Sequence, residues 1–263
     1  MTTSAPFRVE WQEGLAIVNL AQAGRGNPFD GPFTAAFRQV ACELWDAPHL
    51  RAVLLRAEGS NFSLGGDLKA LYPARADLAP LIRQWTADLH MGLQRFWHLP
   101  VPIVCAVQGY AMGGGVALLA GCDVVMSGDK ARLGSAFAQL GFSCDSGSTA
   151  TLTARMGMAR ARRFVLLAEQ LSSAEALQAG LVDRVVPDDT LQDEALQLAQ
   201  RLANGPTRAY GEIKRLFLRA GSAQLEVQLE DEALTLARVA TGSDACEGIA
   251  AMVEKRKPTF LGR

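Results

Sequence analysis

The chain has 263 residues, 49% of them apolar, and its 27 acidic and 26 basic side chains leave a net charge of −1. That is enough chain and apolar surface for one large buried core. The charge balance, with no basic run or stripe, excludes a nucleic-acid partner, and no apolar run reaches the roughly 18 residues of a membrane span. The N-terminal MTTSAPFRVE lacks the basic start and apolar core of a signal peptide, so a cytoplasmic location is expected. Cys42, Cys105, Cys122, Cys144 and Cys246 are scattered without zinc-like or C-x-x-C spacing. They are expected to be reduced and mostly buried, and no metal site is expected.

Phe7 to Leu20 alternates around Glu13-Gly14, which predicts a hairpin. After the loop GRGNPFDGP, the spacing of Phe33, Phe37, Val40, Ala41 and Leu44 predicts a helix ended by Asp46-Ala47-Pro48, and Ala52 to Leu55 a buried strand. AEGSNFSLGGDLKAL reads as a loop in which Asp67 caps a short helix. Leu78 to Phe96 traces a long amphipathic helix carrying His90, a residue with no evident chemistry in that setting.

The organising stretch is VPIVCAVQGYAMGGGVALLAGCDVVMS, Val101 to Ser127. It predicts a strand buried on both faces, a glycine turn at 113–115, an apolar helix from Gly114 to Ala120, and a second buried strand at Val124–Met126. Two uses of such glycines stay open at this point. They can serve close packing alone, or they can let a guest oxygen lie against bare backbone amides. Neither a dinucleotide fingerprint nor a Walker loop is present.

Farther on, Asp145 in FSCDSGSTATL is expected to cap a helix starting near Ser148, although a buried carboxyl among small and apolar neighbours can also act as an acid or base. Ser172 with Glu175 forms a capping box, Gly180 closes that helix, and Val182–Val186 is a strand. From Thr190 onward only helices are predicted, broken at Gly205-Pro206 and Gly221. Alternating strands and helices followed by helices suggest a parallel α/β core with a helical C-terminal part.

Five segments, RGNPF, NFSLGGDL, VPIVCAVQGYAMGGGVALLAGCDVV, LSSAEALQAGLVDRVVP and EKRKPTF, resemble in order the crotonase (enoyl-CoA hydratase/isomerase) superfamily over nearly the whole chain. The resemblance implies a ββα spiral over 1–190, a helical trimerisation part over 191–263, a homotrimer or dimer of trimers, and an acyl-CoA thioester as substrate. No separate cofactor is implied, since CoA belongs to the substrate. It also implies an oxyanion hole from the backbone amides of Leu64 and Gly114 beside Gly113. Further substrate contacts are implied at Gly66, Asp67 and Leu68, at Phe137, and at Lys255 for a CoA phosphate.

The family's hydratases use two glutamates, and the matching positions here are Ala117 and Phe137. Neither moves a proton. LGFSCDSGST instead resembles the pattern of family isomerases, including the type acting on ring-epoxidised phenylacetyl-CoA, which makes Asp145 the expected catalyst of a double-bond shift or ring-derived rearrangement. Two alternatives stand beside it. One is hydratase-like or dehalogenase-like chemistry, in the latter case with Asp145 as nucleophile and His90 as partner. The other is an acyl-CoA-binding protein without catalysis.

Overall fold

The computed structural model describes residues 5–221 and 223–263. Strands β1 (Phe7–Gln12) and β2 (Leu15–Leu20) pair antiparallel, with Glu13 and Gly14 at φ of 45° and 87° closing the hairpin. That left-handed pair matches the twist of the flanking strands. The buried Asp30 then caps α1 (Gly31–Trp45), accepting from the Phe33 N–H at 2.9 Å. The chain continues through β3 (Ala52–Ala57), the short α2 (Leu68–Leu71) and the long α3 (Ala79–Trp97).

From here the backbone winds between two sheets. Strand β4 (Ile103–Val107) lies in the large sheet, β5 (Tyr110–Met112) in a small one, and α4 (Gly114–Ala120) leads back to β6 (Val124–Gly128) in the large sheet. Then β7 (Arg132–Gly134) re-enters the small sheet, and α5 (Ser148–Met156) and α6 (Met158–Leu166) follow. Strand β8 (Gln170–Ser172) completes the small sheet, and α7 (Ser173–Gln178) precedes β9 (Arg184–Val186) at the edge of the large one. The large sheet runs β1-β2-β3-β4-β6-β9, with every pair after the hairpin parallel.

Every residue of β2 and β4 is buried, because both faces of the large sheet are covered. Side chains alternate between the faces: Val18, Val53 and Cys105 join the larger core with α1, α3 and α4, while Ile17, Leu54 and Val104 meet α8 (Leu191–Ala203). Leu191, Ala195, Ala199 and Ala203 form the buried stripe of α8, one turn apart. Helices α9 (Thr207–Ala220), α10 (Leu225–Ala240) and α11 (Ser243–Val253) end the chain.

Three expectations need correction. Strand β9 begins only at Arg184, because the amides of Leu181 and Val182 are spent on the Ala176 carbonyl in closing α7. The cysteines are all free, but only Cys105 and Cys122 are buried; Cys42 and Cys144 are half-buried and Cys246 is exposed. Asp145 does not cap α5, whose N-cap is Gly147 without a side-chain bond.

Gly109, between β4 and β5, sits at φ 57°, and a Cβ there would lie 1.9 Å from the Ser60 carbonyl oxygen. Backbone must move to admit even alanine. Gly109→Ala is therefore expected to destabilise the fold by about 3–5 kcal/mol, readable as a lower denaturant midpoint at unchanged slope.

Candidate active site

The winding leaves a cavity of about 430 Å³ between the loop before α2, the start of α4, residues 135–146 and the inner face of α3. Leu71, Ile82, Trp85 and Leu89 form one apolar wall, with Phe29 and Phe137 elsewhere in the lining. Asp145 is the one ionisable side chain among the lining residues, and it is half-buried.

The glycine triplet is used for packing and for exposing backbone at once. Gly113, at φ 53°, donates its N–H to Gly134 O at 2.9 Å, tying the start of α4 to β7. A Cβ on Gly114 would sit 2.8 Å from the Phe29 ring, and one on Gly115 2.9 Å from Ser63 Cβ. The bare backbone thus lets the 62–66 loop and Phe29 close onto α4. As the first residue of α4, Gly114 has an N–H without an acceptor among the described residues, and it lines the cavity.

The amide expected from Leu64 is overturned by the fold. Its N–H donates to Gly26 O at 2.9 Å and is not free for a ligand. Gly66 is bridged in parallel to Phe29: Phe29 N–H donates to Gly65 O at 2.8 Å and Asp67 N–H to Phe29 O at 3.1 Å. In that ladder pattern the N–H of Gly66 itself points away from Phe29. It has no acceptor among the described residues, and a Cβ on Gly66 would meet open space. Gly66 lines the cavity with Gly114. No local sequence signal separates Leu64 from Gly66, because the choice depends on Gly26 and Phe29, far upstream.

Asp145 hangs on a tightly bonded turn. Its carbonyl accepts from both the N–H and the hydroxyl of Ser148, and its Oδ1 accepts from the Ser146 hydroxyl at 2.9 Å. The Ser146 N–H donates to His90 Nε2 at 3.2 Å. His90 itself is exposed and lies outside the cavity lining.

The remaining candidates divide. Gly113, Leu68 and Phe137 line the cavity. Asp67 does not: its carboxylate caps α2 through the amides of Lys69 and Ala70 at 2.9 and 3.1 Å and takes the Arg25 guanidinium at 2.6 Å. Partial burial opposes the charge of Asp67, but those amides and Arg25 outweigh it and hold the carboxyl below its usual range. Arg25 also bonds Asp30 at 2.7 Å, so it locks the cap of α1 to the loop carrying Gly66. Lys255 is exposed beyond α11 and outside the cavity, and Ala117 is buried in α4 and does not line the cavity.

The family model described as enoyl-CoA hydratase/isomerase matches residues 10–263. The chain belongs to that family. Among relatives, the 1,2-epoxyphenylacetyl-CoA isomerase of Escherichia coli K12 is 33% identical over 260 residues, 96% of this chain and 97% of its own. The 2,3-dehydroadipyl-CoA hydratase of the same strain is 35% identical over 202 residues, 77% of each chain. The crystal structure of an enoyl-CoA hydratase from Polaromonas sp. JS666 superimposes with a TM-score of 0.90 at 28% identity, covering 97% of this chain and 99% of that one. The winding between the two sheets is thus the crotonase fold, followed by its helical C-terminal part. Both isomerases and hydratases share this family, so the residues of the cavity carry the distinction.

Proposed function

We propose that this enoyl-CoA hydratase/isomerase family member is an acyl-CoA isomerase in which Asp145 shuttles a proton. The single observation that carries the reading is that Asp145 is, among the described residues, the only carboxylate lining the cavity, while Ala117 and Phe137 offer none. Adding water across a conjugated double bond with two family glutamates is therefore not available. Moving a double bond needs one base: Asp145 takes a proton from C2 of a 3-enoyl thioester, the electrons shift onto the thioester oxygen, and the same carboxyl returns the proton at C4. The Gly66 and Gly114 amides are the donors for the oxygen that gains charge. Rearrangement of a ring-derived thioester uses the same parts, and the likeness to the epoxyphenylacetyl-CoA isomerase supports that side of the family. A dehalogenase-like role is disfavoured, because His90 Nε2 is engaged by the Ser146 amide and His90 does not line the cavity.

The test follows the ultraviolet absorbance of the conjugated thioester with 3-enoyl-CoA and 2-enoyl-CoA esters of several chain lengths. A rise with the 3-enoyl esters is the expected result. A fall with 2-enoyl esters instead means hydration and overturns the reading.

The proposal includes a homotrimer or dimer of trimers. Its support is the apolar surface of the C-terminal helices, where Phe217 of α9 and Met252 of α11 are 78% and 81% exposed. In this reading Lys255, exposed at that end, would meet a CoA phosphate bound by a neighbouring copy. Sedimentation equilibrium is expected to return at least three times the 28.1 kDa of one chain, and a monomer would sink this part.

A further inference from the structure

We propose that Ser146 and His90 are positioning residues that aim Asp145, a role resting on the reading of Asp145 as the proton shuttle. Three observations converge. Ser146 is almost fully buried, at 1% exposure, and its two polar hydrogens go to different partners: the hydroxyl to Asp145 Oδ1 at 2.9 Å, the amide to His90 Nε2 at 3.2 Å. Since Nε2 accepts, the imidazole carries its hydrogen on Nδ1. Ser146 also sits at φ 55°, a conformation uncommon for a residue with a side chain. Glycine would occupy that position at lower cost, and glycine follows at once as Gly147, at φ 71°. The hydroxyl is what glycine would lack.

The chain of bonds runs from α3 through Ser146 to the carboxylate. His90 fixes the Ser146 backbone, Ser146 fixes Oδ1, and Oδ2 has no partner among the described residues and is left to meet substrate. Helix α3 thus does two things from one face: Trp85, Thr86 and Leu89 wall the cavity, and His90, one residue on, holds the residue beside the base. Neither His90 nor Ser146 needs to touch the reacting atoms. Their effect is on the fraction of time Oδ2 is correctly placed, so it belongs in kcat and leaves KM nearly untouched.

The experiment compares His90→Ala, His90→Gln and Ser146→Gly with the unaltered chain, using 3-hexenoyl-CoA turnover, melting temperature and hydrogen exchange at the Ser146 amide. His90→Ala is expected to lower kcat about tenfold with KM within about twofold, and to speed exchange at Ser146. Glutamine keeps an acceptor at comparable reach and is expected to restore most of both. Ser146→Gly is expected to lower kcat by a similar factor while the melting temperature holds or rises, since the strained φ is relieved as the hydroxyl is lost. Activity and stability moving in opposite directions is a result that a merely structural serine cannot give. Unchanged kcat in both His90→Ala and Ser146→Gly overturns the proposal, as does exchange at Ser146 that ignores the loss of His90. Asp145→Asn, run alongside, separates the two readings. If it stays active, the shuttle reading fails; if it is dead while the Ser146 and His90 variants are fully active, only the positioning role fails.

Discussion

Asp145→Asn is expected to lower turnover of 3-enoyl-CoA esters by about 10²–10⁴, the usual share of a positioned acid–base group. Asparagine matches the carboxylate in shape and can still accept from the Ser146 hydroxyl that holds Oδ1 at 2.9 Å. The turn through Ser146, Gly147 and Ser148 uses the Asp145 backbone carbonyl and is left intact. Only the capacity to take up and return a proton is removed. A loss of about 10³ corresponds to roughly 4 kcal/mol of transition-state stabilisation. Affinity for a saturated acyl-CoA, measured by calorimetry, is expected to stay within about threefold, because the apolar wall and the two free amides are unchanged. Full activity in the asparagine variant would remove Asp145 from the chemistry. Loss of binding together with turnover would assign it to substrate recognition instead.

Gly66→Pro is expected to lower kcat by about 10²–10³, the usual effect of deleting one oxyanion donor. Proline removes the one N–H in question. The neighbouring ladder does not use that N–H, since it runs through Gly65 O, Phe29 and the Asp67 N–H, and a Cβ at Gly66 meets open space. Gly66→Ala is the control: it keeps the N–H, adds its methyl to that space, and is expected to retain activity within about threefold. Equal losses in both variants would mean that the space above Gly66 matters and its amide does not. Proline-insensitive activity would return the search for the second donor to other amides of the wall.

Much of the scaffold is local, and so it was legible in the sequence. The hairpin at Glu13-Gly14, the capping box at Ser172 and Glu175, and α4 from Gly114 to Ala120 depend on side-chain period and turn chemistry within a few residues. The two-sided burial of β4 shows as an unbroken apolar run for the same reason. Asp67 is the cap expected from its position before α2, but its carboxylate is also held by Arg25, a partner no local pattern reveals.

By itself, then, the sequence determined the family and the absence of a carboxyl at Ala117 and Phe137, because motif order and residue identity are properties of the chain. It also marked Asp145 as the remaining acid, though not its surroundings. The tertiary structure decided which groups are available there. A backbone amide looks the same at Leu64 and Gly66 until the fold gives one of them to Gly26 and turns the other away from Phe29. His90 on α3 and Ser146 before α5 become partners only when the helices pack, since a hydrogen bond between residues so far apart in sequence depends on distance and direction in space.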